Sequence, residues 1–306
     1  MINTNIVDVK AFANEILERL RKVYPAAEIN ITEVMKNNDK ILIGLAINEK
    51  EGAVVPQIYI NDLYEKYVEE KADIEEITLT VQHLYDDKKK EADRMHIDIK
   101  PFLDADNLKA KVFVRLLGID NNREYLRDAV YCPMCDNLAA VFYVLFDRTK
   151  EGVATAKLSK KSFDELDMTK EELYSIALEN TVEFFPAVMK TMKKILQSQL
   201  GLSDVDGMSF DAEMYVLSND VYINGATVLL YPEVLKKFCR EKGVERIIIL
   251  PSSVHETLLL LPSVLMDKEY MKEMVMDINE GVLRPEDVLS DDVYVYTLAD
   301  DEIHVL

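Results

Sequence analysis

Ser252, Ser253, His255 and Glu256 place two hydroxyls, an imidazole and a carboxylate between two apolar runs, at 246–250 and 257–261. A serine hydroxyl is a weak nucleophile until a base takes its proton, and an imidazole oriented by a carboxylate is the usual base. The set invites a hydrolase reading, with Ser252 or Ser253 as nucleophile, His255 as base and Glu256 as its carboxylate. Chain geometry opposes a purely local triad. Side chains alternate across an extended strand, so Ser253 and His255 would share a face that Glu256 leaves. The segment has no Gly-x-Ser-x-Gly elbow and no second His four residues beyond His255, so the hydrolase-elbow and helical zinc-protease signatures are both missing. Turn chemistry accounts for the same residues: Pro251 closes a strand, the serines satisfy turn amides, and His255 and Glu256 begin the return strand.

Cys132 and Cys135 have the two-residue spacing that directs two thiolates at a zinc ion or at each other. A structural zinc takes four ligands, and the remaining candidates, Cys239, His255 and His304, lie far along the chain. A redox dithiol of the thioredoxin kind opens a helix, whereas residues 137–146 read as a strand. The expectation is two free thiols in a turn, with no metal and no cofactor. Neither the P-loop nor the dinucleotide glycine fingerprint is present among the 9 glycines. Tyr59, Tyr64 and Tyr67, beside Asp62 and Glu65, read as packing aromatics with wet hydroxyls.

A formal charge of -20, from 36 basic and 56 acidic residues, repels phosphate backbones and anionic lipid, so nucleic acid and membrane are not expected partners. Residues 266–306 hold 12 acidic and 3 basic side chains, a local net of -9, which suits either a solvated face or docking of a basic protein surface. The first five residues lack a secretory-signal pattern, and no apolar run approaches the ~18 residues of a membrane span. Three cysteines cannot build a disulfide framework, so a cytoplasmic location is expected.

The elements that must position these residues follow from periodicity. Val9, Phe12, Ala13, Ile16, Leu17, Leu20 and Val23 recur at helical steps ahead of Pro25. Runs at 29–35 and 41–47, separated by Asn37, Asn38 and Asp39, read as a hairpin in which Gly44 marks a bulge or close approach. An apolar run at 54–60 precedes helices begun by Asn61 or Asp62 and by the Asp73/Glu76 capping box, ending in the charged run 86–94. Strands at 112–117, 139–146 and 153–158 predict an antiparallel sheet. Thr169 with Glu172 opens a helix that Pro186 breaks or restarts, its stripe continuing through Val188, Met189, Met192, Ile195 and Leu196. Strands at 214–217, 246–250 and 257–261, helices at 233–239 and 268–276, and a closing hairpin at 293–297 and 303–306 complete the reading. The fold class is α+β, two or three units with mostly antiparallel sheets packed against helices: 1–95, 96–201 and 202–306, the last two open to being one domain.

With that order in place, the segments at 56–64, 173–180, 225–230 and 250–256 resemble those of an uncharacterised bacterial family of unknown function. That family is distantly similar to the YtpQ-like proteins, also uncharacterised, which share an Asn-Leu-Tyr-like helix start, an Ala-Leu-Glu-Asn helix and a Pro-Ser strand end. The resemblance implies a bacterial cytosolic setting and one shared architecture, and it implies no established activity. The functional expectation is a noncatalytic binding or adaptor protein with a protein partner; the alternative is a hydrolase or small-molecule-binding enzyme centred on the 251–256 turn.

Overall fold

The structure, a computed structural model, describes residues 6–49, 55–94, 104–149, 152–200, 214–262 and 267–306. The chain divides into two compact units, residues 1–36 with 40–97, and residues 37–39 with 98–306.

In the first unit, α1 (Ile6–Val23) buries Val9, Phe12, Ala13, Ile16, Leu17 and Leu20. A stripe of that width needs an apolar surface to cover it. The surface is the antiparallel sheet of β1 (Glu28–Met35), β2 (Ile41–Asn48) and β3 (Gln57–Tyr59), through Ile29, Ile43, Leu45, Ile47 and Ile58. Gly44 is a point of close approach, since a Cβ there would stand 2.9 Å from Thr32 Oγ1 and 3.5 Å from the Tyr59 ring. α2 (Asn61–Glu69) and α3 (Ile74–Arg94) add Leu63, Ile77, Val81 and Tyr85 to the same core. The side-chain cap expected at Asn61 or Asp62 is not made. Ile60 occupies the cap position, and Asn61 Oδ1 accepts the Ile43 amide at 2.8 Å, which ties α2 to β2. Asp73 does cap, accepting the Glu75 amide at 2.7 Å.

The second unit opens with α4 (Ala105–Lys111), capped by Asp104, and β4 (Val112–Gly118). α5 (Arg123–Arg127), β5 (Tyr131–Met134), β6 (Leu138–Arg148) and β7 (Val153–Lys157) follow. β6 is the shared strand of this antiparallel sheet, paired with β4 on one side and with β5 and β7 on the other. Residues 138–145 of β6 are buried without alternation, as expected of a strand covered on both faces. After α6 (Lys160–Asp164), α7 (Lys170–Phe184) begins with the predicted capping box of Thr169 and Glu172 and packs on β4, Thr181 Oγ1 accepting the Val114 amide at 3.0 Å.

Beyond Pro186 the sequence-based helix is corrected. β8 (Ala187–Thr191) is extended, and only α8 (Met192–Leu200) is helical. Val188, Met189, Met192 and Ile195 fit a helical period over too short a window to exclude a strand. Cross-strand pairing decides: Val188 to Thr191 lie opposite Ser218 to Tyr215 of β9 (Met214–Asn219). A 3-10 turn at Gly225–Leu230, α9 (Val234–Lys242), β10 (Arg246–Leu250), β11 (Thr257–Leu260), α10 (Lys268–Gly281), β12 (Tyr294–Thr297) and β13 (Glu302–Val305) complete the unit. The strands make an antiparallel sheet in the order β13-β12-β10-β11-β9-β8. Phe142, Leu217, Val228, Phe238, Ile247 and Leu259 belong to one core spanning both sheets of this unit. The fold is α+β, and among the described residues no helix is long and apolar enough to cross a membrane.

Candidate functional site

The 251–256 segment is a tight loop between β10 and β11, not the extended chain that alternation assumed. Ser253 closes it at both ends: its amide donates to Glu256 O at 3.1 Å and its Oγ accepts the His255 amide at 3.0 Å. Val254 is locked from two sides, its amide on Asp287 O at 2.8 Å and its carbonyl receiving the Ala226 amide at 3.1 Å. Ser218 Oγ donates to His255 O at 2.7 Å. The packing here leaves no room for a side chain on Gly225, where a Cβ would meet Ser218 Oγ at 2.1 Å and His255 O at 2.4 Å.

The His255 ring is held by two groups outside the 251–256 segment. Nδ1 accepts the Asn224 amide at 3.2 Å, which assigns the proton to Nε2, and Nε2 lies 3.1 Å from Asp287 Oδ1. Both ring nitrogens are thus engaged. Neither serine hydroxyl is hydrogen-bonded to the ring, and the carboxylate beside it is Asp287, not Glu256. Asp287 is 32 positions downstream in a 3-10 turn at Pro285–Asp287, a pairing that no spacing rule could have flagged.

Cys132 lies in β5 opposite Ala140, and Cys135 lies in the turn that follows, at φ 47. Burial pushes the Cys135 thiol up to about 12, and burial with Glu171 raises Cys132. Raised thiols are poor ligands and poor nucleophiles, because the thiolate does both jobs. Cys239 is buried in the core, and among the described residues no group of three or more His, Cys, Asp or Glu side chains could hold a metal ion.

A cleft of about 460 Å³ opens beside that same turn, in the second unit. Its walls are the 133–136 turn, residues 229–236 at the start of α9, and the β12–β13 hairpin. Met134, Leu229, Leu235 and Ile303 give it an apolar lining, and Asp136, Glu233, Asp301 and Glu302 supply carboxylates against Lys236 and His304. Cys135, Asp136, Glu233 and Asp301 all have positive φ, at 47°, 66°, 65° and 61°. L-residues hold that conformation at a cost of order 1–3 kcal/mol each and only where neighbours enforce it.

The enforcing contacts are visible. Asp136 Oδ2 accepts the Val305 amide at 2.9 Å, and that bond, with His304 beside it, holds the carboxyl below the usual range. Asp301 accepts the Tyr296 hydroxyl at 2.6 Å and Lys236 Nζ at 3.1 Å, and both lower its pKa. For His304, burial opposes the charge, but Asp136 and Glu302 outweigh it and raise the imidazole. Glu233 sits 3.4 Å from Lys236 and 3.6 Å from Arg240. The sequence signal for this cleft was the acidic excess of residues 266–306; Asp136 and Glu233 carried none.

Against known proteins, the model of a family of unknown function, DUF5688, matches residues 9–297. No curated protein and no solved structure matches. The YtpQ-like likeness finds no support in these comparisons.

Proposed function

We propose, for a chain that belongs to the DUF5688 family of unknown function, a noncatalytic cytosolic binding role in which the 460 Å³ cleft receives a basic side chain of a protein partner. One observation carries the reading: among the described residues, Glu233 and Glu302 stand well exposed at the rim of an apolar lining, beside Asp136 and Asp301, which are held by the fold. Glu233 and Glu302 are 62% and 63% exposed, and ion pairs so exposed contribute only ~0–1 kcal/mol each, so a partner's cation can exchange into them at little expense. The apolar lining suits the methylene stem behind such a cation. Asp291, Asp292 and Asp301, by contrast, are committed to Asn279, to Asn137 with Lys272, and to Tyr296 with Lys236. Their acidity serves the fold.

The test is calorimetric titration of the full chain with N-acetyl-arginine methylamide and with its neutral citrulline counterpart. Saturable heat is expected for arginine and binding at least ~10-fold weaker for citrulline, as for loss of a charge-assisted bond. E233Q/E302Q should weaken arginine binding to a similar degree. No saturable heat, or equal affinity for the two compounds, overturns the reading.

A hydrolase at the 251–256 loop is the second reading, favoured by the contact of His255 with Asp287, which orients an imidazole as such an enzyme would need. To act there, a serine would have to displace the Asn224 amide from Nδ1.

A further inference from the structure

His304 of β13 stands between two carboxylates in the lining of the cleft. Its Nε2 lies 3.0 Å from Glu302 Oε2 and its Nδ1 lies 3.6 Å from Asp136 Oδ2, so both ring nitrogens face negative charge. Only the imidazolium carries a proton on each nitrogen. The neutral ring has one, and whichever tautomer forms, one carboxylate then meets a lone pair in place of an N–H. The geometry suits the imidazolium. Both contacts are half exposed to water, where an ion pair contributes little, so they can be exchanged.

The groups around the ring make its proton the variable charge of the cleft. The turn after β5 brings Asp136 and the Cys135 thiol, which burial pushes up to about 12. β13 itself brings Glu302, and the residue opposite His304 on β12 is the uncharged Val295. Elsewhere in the lining Lys236 is held by Asp301 at 3.1 Å and by Glu233 at 3.4 Å, and Glu233 also faces Arg240 at 3.6 Å. Near neutral pH an imidazole is the side chain that gains and loses its charge. Burial opposes the charge on His304, but Asp136 and Glu302 outweigh it, so the titration falls above the ordinary value of ~6.5.

We propose, on the reading of this cleft as the receptor of a basic side chain, that His304 is its proton gate: the imidazolium holds Glu302 at low pH, and loss of its proton releases Glu302 to the incoming guanidinium. The proton and the partner's cation compete, and by linkage each cation bound expels part of a proton. Asp136 stays in place through the exchange, since its Oδ2 keeps the Val305 amide at 2.9 Å. Affinity is weakest while His304 is protonated and rises as pH climbs through its titration.

The experiment is calorimetric titration of the full chain with N-acetyl-arginine methylamide from pH ~5.5 to ~8.5, a span that brackets a raised histidine while the guanidinium of the probe keeps its charge. At pH ~7 it is repeated in two buffers of different ionisation enthalpy, which reports protons released on binding. Wild-type affinity should rise about 3- to 10-fold across the span, as when binding lowers the imidazole pKa by about 0.5–1, and the heat should depend on the buffer. H304Q, which keeps a hydrogen-bond donor and does not titrate, should bind with an affinity independent of pH and a heat independent of buffer. A wild-type affinity that is flat or falls with rising pH, or an H304Q that retains the rise, overturns the gate and leaves arginine binding standing. No saturable heat at any pH overturns both. If H304Q does not fold, NMR titration of the wild-type His304 ring decides: its pKa should fall when the arginine compound is bound, and an unchanged value overturns the gate.

Discussion

Gly225 and Ser253 show how the 251–256 loop is held, and they make its structural weight measurable. A methyl group on Gly225 would stand 2.1 Å from Ser218 Oγ, 2.4 Å from His255 O and 2.8 Å from the Asn219 amide nitrogen. Two of these three atoms belong to backbone already locked by hydrogen bonds, so the strain cannot be relieved by a rotamer change. Gly225→Ala should therefore destabilise by about 3 kcal/mol or more, at the upper end of overpacking costs. Ser253→Ala removes only the cap on the His255 amide and should cost about 1 kcal/mol. Urea denaturation of the two variants checks the ordering, and a smaller loss for Gly225→Ala than for Ser253→Ala would contradict the close packing of β9, the 3-10 turn and this loop. The sequence displayed the turn, through Pro251 and two serines. It could not display Asp287 or the Asn224 amide, because those contacts arise from three separate segments brought together only by the completed sheet.

At the scale of elements, local rules were legible wherever one signal dominated: the stripe of α1, the box at Thr169 and Glu172, and the two-residue alternation of the closing hairpin. They failed at 187–191, where a tertiary partner, β9, outweighed a short helical pattern. The β12–β13 hairpin illustrates how an element can depend on one turn residue. Asp301 sits at φ 61 and joins Tyr296 of β12 to Lys236 of α9. Its folded pKa is depressed, so the folded state holds the proton less tightly than the unfolded chain, and the stabilisation is complete above the ordinary carboxylate value near ~3.9. It is lost as pH falls through the lower folded value. Asp301→Asn keeps a side chain that tolerates left-handed backbone and removes the titration. Because the site is half exposed, the variant should lose about 1–4 °C in Tm at pH 7, and the gap should close as pH falls below ~4. A deficit independent of pH would mean that shape, and not charge, fixes the turn.

Across the whole molecule the charge of -20 sets how the cleft should respond to salt. The general field is long-ranged and is screened within about 10 Å at 0.1 M ionic strength, whichever salt supplies it. The carboxylates of the cleft lie in that field, at a surface where Glu233 and Glu302 are well exposed, so the proposed binding of a cationic side chain should weaken steadily with ionic strength. Sodium gluconate can supply the ionic strength. Raising it from ~10 mM to ~500 mM should reduce affinity for N-acetyl-arginine methylamide severalfold, since the Debye length shrinks from ~30 Å to only a few ångströms. Exchanging gluconate for chloride at fixed ionic strength should leave that affinity unchanged. If chloride and gluconate weaken binding to different extents at equal ionic strength, an anion competes specifically and general screening is not the cause.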